Sequence, residues 1–341
     1  MKILYLFKNS QKNISLAKKN LYPKLFYGYF DLMKNNDVQF MDTSEHRGIV
    51  TRIYDKFFRA ANPLEQKLLS NIKLLNQQDI VYATTDGIAI EVAKLKKKGI
   101  LTVKVVANIF SIVDNEVQAP SLYLLNYLDG LVCFSKKIEQ YLNSNNIRNA
   151  NFIEYGIDTV FYKNTNHSPR NMVLSIGLDS HRDWSCFIEV AKLLPNIEFR
   201  VITSNKNKKL FTLKNIIFLG DTNFITTKNE ISEAKLIFLP TTPNFYFSGQ
   251  TTLFNALSMN KNVLMPLDAN FDGYNFDESG FYDRDDGFKS VANKVENLLQ
   301  ENPSHNKLTV NCQLVRNKFN QTNFAYNMNS YFYKVLKLNE K

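Results

Sequence analysis

The stretch SGQTTLFNALSMNKNVLMP, residues 248–266, reads as a Gly-led helix start, one short amphipathic helix, a turn and a buried strand. Leu253, Ala256 and Leu257 recur at i, i+3, i+4 spacing, so one side of the helix faces a core. The short apolar run NVLMP fits a strand covered on both faces. Thr251, Thr252 and Asn255 fall on another side of the helix. Gly249 and Gln250 lead it, where the first backbone N–H groups have no partner within the helix. That end of the helix is a seat for something polar.

The same alternation runs outward in both directions. Before it, strands are predicted at residues 2–7, 38–42, 79–84, 100–107, 130–135 and 151–155, with helices between them. A polar segment with one Pro, GIDTVFYKNTNHSPRN (156–171), reads as a linker between domains. The pattern then restarts at 171–177, 197–203, 215–220, 235–240 and 262–266, and helices follow near 288–301, 307–319 and 323–337. Two successive sets of strand–helix alternation mean an α/β protein of two Rossmann-like, doubly wound domains. The expected boundaries are 1–155 and 156–319.

The length of 341 residues agrees, since one core rarely supports that many. Lys and Arg number 42 against 32 Asp and Glu, a formal balance of +10 that suggests an anionic partner: nucleotide phosphates, a membrane surface or nucleic acid. The Lys residues are spread along the chain, which makes most of them a solvated surface. Cys133, Cys186 and Cys312 are far apart with no C-x-x-C, so neither a disulfide framework nor a zinc site is expected. The amino-terminal apolar stretch is too short for a signal peptide, and GILTVKVVANIFSIV is broken by Lys104 and Asn108. A cytoplasmic protein is expected, at most lying against the inner face of a membrane. No G-x-S-x-G, G-x-x-x-x-G-K-[ST] or G-x-G-x-x-G occurs, which disfavours a hydrolase, an NTPase or a dinucleotide enzyme. DRDD (283–286) contains a D-x-D but lacks a strand before it and reads as a solvated turn, so no metal site is expected.

In order along the second half, several segments resemble the GT-B glycosyltransferases, in particular the retaining family 4 group. NFIEYGIDTVFYK (151–163) is similar to that family's linker, where Asn-Gly-Ile/Val-Asp precedes a Phe; Tyr155 stands here in place of the Asn. VLSIGLDSHRDWSCFIEVAKLLPNIEFRVI (173–202) resembles the first βαβ unit of the donor domain, with its Arg-Asp pair. FLGDTN, KLIFLP and the opening stretch follow at about the right separations. The sequence also departs from the family: Lys8, Asn9 and Ser10 replace a Gly-rich loop, Leu178 replaces a basic residue, and Phe247 and Asn255 replace both acids of the E-x7-E signature.

In open α/β sheets, ligands bind outside the carboxyl ends of the strands. Gly177 ends the first strand of the second set there. Gly249 and the N–H groups of Gln250, Thr251 and Thr252 form a helix amino terminus suited to a diphosphate; the alternative is a plain Gly turn with Thr capping its own helix. Asn255, one turn deeper, is placed for a ribose or is a polar surface residue. Arg182 is placed to fork two phosphate oxygens and offset charge growing on a leaving diphosphate, or is a surface Arg; Asp183 beside it caps a helix. Lys206 is a second phosphate partner or basic surface. By family analogy, the backbone at Asp221 and Thr222 meets a base after a turn at Gly220. In the first domain, Asp86 with Gly87 and Asn108 end two strands and are candidates for the sugar or acceptor side, with helix capping the competing role for Asp86.

The resemblance implies a metal-independent, retaining glycosyltransferase. It takes a nucleotide-diphosphate sugar as donor substrate, uses no further cofactor, and acts on a glycan or lipid-linked acceptor in cell-surface polysaccharide synthesis. Nucleic acid is not among the expected partners. The terminal helix, within 320–341, is expected to pack back on the first domain. The alternative is a catalytically silent GT-B module that binds a nucleotide sugar or a partner transferase, suggested by the missing acids.

Overall fold

Apolar strands, most of them followed by a helix, form two parallel six-stranded sheets in the computed structural model, which describes residues 1–8, 10–24, 26–44, 62–110, 122–163, 169–244, 247–267, 271, 273–277, 280–300 and 306–337. The chain divides into two compact units. The first draws on Met1–Leu16, Phe26–Glu154 and Thr322–Lys341, the second on Ala17–Leu25 and Tyr155–Gln321.

In the first unit the strands are β1 (Lys2–Phe7), β2 (Asp37–Asp42), β3 (Ile80–Ala83), β4 (Lys104–Ile109), β5 (Gly130–Cys133) and β6 (Ala150–Phe152), in the order β2-β1-β3-β4-β5-β6. Among its helices, α1 (Gln11–Lys18) follows β1, and α2 (Tyr29–Leu32), α3 (Pro63–Ser70) and α4 (Ile72–Asn76) precede β3. After β3 and β5 come α5 (Asp86–Lys97) and α6 (Lys136–Ser144). β1 and β3 are apolar on both faces, as a sheet covered by helices requires. Tyr5, Tyr82 and the buried Phe332 meet edge to face in the core.

The strand expected from residue 100 starts only at Lys104. Gly99, at φ +69°, ends α5, and the N–H groups of Ile100 and Leu101 both return to the Leu95 carbonyl, so this apolar stretch closes the helix.

The second unit holds β7 (Arg170–Ile176), β8 (Glu198–Ile202), β9 (Ile216–Gly220), β10 (Ala234–Phe238), β11 (Asn262–Pro266) and the two-residue β12 (Phe281–Tyr282), which sequence did not reveal. Their order is β12-β11-β10-β7-β8-β9. Between and after them lie α7 (Trp184–Leu193), α8 (Phe224–Glu233), α9 (Gln250–Ser258), α10 (Phe288–Gln300) and α11 (Asn306–Asn317). The strand order reverses between β7 and β10, which marks the switch point where such sheets take ligands. The segment Ala17–Leu25, read from sequence as part of the first domain, belongs to this unit: Tyr22 packs on Phe224 with ring centroids 4.3 Å apart, and the Lys24 N–H donates to Asp158 Oδ2 at 2.8 Å. The last helix, α12 (Gln321–Lys337), lies almost entirely within the first unit, where the Tyr331 hydroxyl reaches the β5 carbonyl of Leu131 at 3.3 Å.

Candidate active site

The carboxyl ends of β7 and β10 are tied together by the loops that leave them. Arg182 and Thr241 form an antiparallel bridge, the Asp183 N–H donates to the Pro240 carbonyl at 3.0 Å, and the Thr242 N–H donates to that of His181 at 3.0 Å. Asp183 caps α7, accepting from the Cys186 N–H at 2.9 Å. Arg182 is thereby fixed in the switch point, and it is not a surface residue. Its side chain is 2% exposed.

The guanidinium is held on several sides. Nε donates to the Ile176 carbonyl at 2.9 Å, and one terminal nitrogen donates to Ser248 Oγ at 2.8 Å and lies 3.3 Å from Asp179 Oδ2. Ser248 Oγ in turn donates to Asp179 Oδ1 at 3.2 Å. Gly177 is required by this packing: a Cβ there would fall 2.2 Å from Nε and 2.3 Å from Cγ of Arg182.

Above the guanidinium stands the amino terminus of α9. Gly249 occupies the cap position at φ +89°, and a Cβ added there would lie 3.7 Å from both terminal nitrogens of Arg182. Among the described residues no side chain caps this helix, and its first turn carries no acid. Thr251, instead of capping, bonds the hydroxyl of Tyr155; burial pushes that phenol up to about 12, with the Thr251 bond acting against the rise. Thr251 itself is exposed and Thr252 half-buried. An uncapped helix end with a fixed cation beside it forms an electropositive seat for an anion.

Two amides nearby are buried without full satisfaction. Asn255, 5% exposed, is not a surface residue, and among the described residues its Oδ1 has no partner; Gln250, 8% exposed, has an Nε2 with none there either. Buried polar atoms of this kind are few in folded proteins, and a bound water, ion or ligand is one thing that completes their bonding. Phe247, at the first position of the missing acid pair, is buried against Phe271 and Tyr274.

The remaining candidates lie farther along the same sheet edge or in the other unit. Lys206 is exposed after β8. Gly220 turns at φ +75° against Asn205, leaving Asp221 exposed and pairing Thr222 Oγ1 with Thr227 Oγ1 at 2.8 Å. In the first unit, Asp86 does not cap α5. Thr85 holds the cap position, and Asp86 Oδ1 accepts from the Phe110 N–H at 2.9 Å, which ties α5 to the end of β4. Gly87 is exposed with open space at its Cβ position. Asn108, inside β4, is fully buried, its amide bonded to the Tyr82 hydroxyl and to the Thr84 carbonyl at 3.5 Å, so it offers nothing to solvent.

Three contributors escaped the sequence reading. Ser248 and Asp179 steady Arg182, and nothing in their local pattern separates them from loop residues. Arg284, from the DRDD turn, donates to the Thr241 carbonyl and hydroxyl beside the Arg182 bridge. The two-residue strand β12 does precede this turn, contrary to expectation, but the neighbours of Arg284 close the turn on itself, and Asp286 pairs with Lys294 at 2.8 Å. No group of three or more His, Cys, Asp or Glu suited to a metal occurs among the described residues.

In the first unit, the helix after β1 presents no such seat. Asp42 accepts from the N–H groups of Ser10 at 2.8 Å and Gln11 at 3.2 Å, filling the amino end of α1 from within. Burial pushes this carboxyl up, but bonds from Ser44, Gln11 and Ser10 outweigh it and hold it well below the usual range.

No family model and no curated protein matches the sequence. Solved structures do match in fold. HepE from Anabaena, in complex with UDP and glucose, superposes with a TM-score of 0.70 at 13% identity, over 98% of this chain and 99% of its own. Sucrose-phosphate synthase from Thermosynechococcus elongatus gives 0.69 at 10% identity over 99% and 100%. A glycosyltransferase from Rickettsia africae gives 0.67 at 13% identity over 98% of each chain. The chain therefore has the GT-B fold along almost its whole length.

Proposed function

We propose that the protein is a glycosyltransferase that takes a nucleoside-diphosphate sugar at the second unit. One observation carries this reading: the buried guanidinium of Arg182 is fixed beside the uncapped amino end of α9, at the switch point of a parallel sheet. Charge grows on the diphosphate as the sugar departs. A cation that need not move to meet it stabilises that stage more than the bound substrate. Asn255, one turn into the helix, supplies an unpaired acceptor for a donor hydroxyl, in the part an acid plays in the resembled family. The UDP complexes of HepE, a protein of the same fold, support the nucleotide part of the proposal.

The finer reading follows the resemblance: retention of configuration, no metal requirement, and a glycan or lipid-linked acceptor in cell-surface polysaccharide assembly at the inner face of a membrane. No described helix is long and apolar enough to cross a membrane. Purified protein incubated with a panel of nucleotide sugars tests the proposal by release of the nucleoside diphosphate. Release that persists in EDTA and is abolished in Arg182→Ala supports it; an absolute need for Mg²⁺ removes metal independence, and unchanged release in the variant removes Arg182.

A second reading rests on Phe247, whose buried ring leaves no carboxylate at the first position of the acid pair. On that reading the protein binds the donor without turning it over. Calorimetric binding of a nucleotide sugar with no hydrolysis or transfer, across the same panel, distinguishes it.

A further inference from the structure

The first unit contains a pocket of mixed lining at the end of its sheet opposite the carboxyl ends of the strands. It has a volume of about 610 Å³ and lies at the amino ends of β5 and β6, beside the last turns of α12. That is within the roughly 300 to 1,000 Å³ typical of small-molecule sites.

Its floor is locked. Asn149 Nδ2 donates to the carbonyls of Leu125 at 3.2 Å and Leu128 at 2.7 Å, and Asn151 Nδ2 donates to the Tyr331 hydroxyl at 3.0 Å. Gly130 admits that tyrosine, since a Cβ there would lie 2.6 Å from its oxygen. Asp129 also lines the pocket, but its carboxylate is engaged by Lys96, by Lys104 at 2.9 Å and by the Val105 N–H at 2.9 Å. Two lysines on one carboxylate leave this wall cationic.

The rim is not engaged. Arg148 and Lys334 are exposed and have no acidic partner among the described residues, and the side-chain amides of Asn126 and Asn146 have no hydrogen-bond partner there. Cations without counter-charge suit carboxylate, phosphate or sulfate, whereas amides both donate and accept, as ligand hydroxyls require. Leu128, Ala150 and Val335 supply apolar surface between these polar groups.

We propose that this pocket binds an anionic oligosaccharide, with Arg148 and Lys334 on its acidic groups and the asparagines on its hydroxyls. Preferring a saccharide over other polyhydroxylated anions rests on the transferase reading; the charge and polarity of the pocket do not. A concave site with two cations and two free amides at its rim favours a polar chain over a lipid surface.

Calorimetry on the full chain tests this with tetragalacturonate, maltotetraose and inorganic phosphate, beside flotation with phosphatidylglycerol vesicles. Tetragalacturonate is expected to bind about tenfold or more tightly than maltotetraose, and Arg148→Glu/Lys334→Glu to weaken it by about tenfold or more. Equal binding by parent and variant overturns the proposal. So does inorganic phosphate binding as tightly as the tetramer, or capture by vesicles without saccharide binding. Nucleoside diphosphate affinity, measured on the same samples, reports that the variant is folded. Its absence in the parent counts against the transferase reading and leaves the saccharide result standing.

Discussion

Gly177 and Arg182 exclude any side chain between them: a Cβ at position 177 would sit 2.2 Å from Nε of Arg182. Gly177→Ala must therefore push the guanidinium off the Ile176 carbonyl and Ser248. Overpacking of this kind costs about 1 to 3 kcal/mol. Urea denaturation is expected to show that loss, and calorimetry a fall in nucleoside diphosphate affinity. A variant as stable as the parent would mean that Arg182 has a second resting place.

The next expectation concerns Gly249, whose φ of +89° L side chains rarely adopt. The Cβ of an alanine finds ordinary packing distances there, 3.6 Å from Met265 and 3.7 Å from Arg182, so the cost is backbone strain rather than collision. Strain at one left-handed residue is about 1 to 2 kcal/mol. Gly249→Ala is expected to lose that much stability, and Gly249→Val more, with affinity for a nucleoside diphosphate lowered in both because the helix end is displaced. If stability falls while affinity holds, the amino end of α9 is not the anion seat.

Much of this was legible in the sequence, for reasons specific to the residues. The apolar runs that became β7, β10 and β11 allow only buried strands, and their spacing forced two doubly wound sheets. Gly249 and Gly177 were visible as glycines at strand and helix ends, where backbone geometry is demanding. What sequence hid was burial. Nothing local distinguishes a surface arginine from one folded against its own strand, and Arg182 is buried only because two loops from adjacent strands meet there. Asn108 misled for the converse reason: its place near a strand end suggested access, while Tyr82 and Thr84 enclose it. Ser248 and Asp179 gained their role from the Arg182 they touch, a contact 66 residues apart in the case of Ser248.

Asn255 sets stability against binding. Its Oδ1 is buried with no partner among the described residues, a condition that costs about 1 to 3 kcal/mol in the unliganded protein. Asn255→Leu replaces the amide with an apolar group of similar size, and is expected to raise the melting temperature while weakening nucleotide affinity about tenfold or less. Thermal unfolding with and without a nucleoside diphosphate reads both effects. A variant that is less stable than the parent would show that the amide is satisfied in the free protein.

The last expectation is about pH and involves Lys261, 5% exposed before β11, whose ammonium reaches only the Ser232 carbonyl among the described residues. Burial lowers its pKa to about 8. The unfolded chain holds that proton until about pH 10.4. Between these values the unfolded state binds more protons than the folded one, so this residue makes stability rise with pH across the window. Below pH 8 both states are protonated and the full burial penalty remains. Lys261→Met removes the charge and keeps the stem. Its stability advantage over the parent is expected to be constant below pH 8, at about 2 to 3 kcal/mol, and to fade toward pH 10.4. Taking the difference between variant and parent cancels the opposite effect of the buried thiols Cys133, Cys186 and Cys312, which burial raises and which therefore lower stability in alkali. Denaturant midpoints at pH 7, 9 and 10 supply the comparison, and an advantage unchanged across them would show that Lys261 reaches solvent in the folded protein.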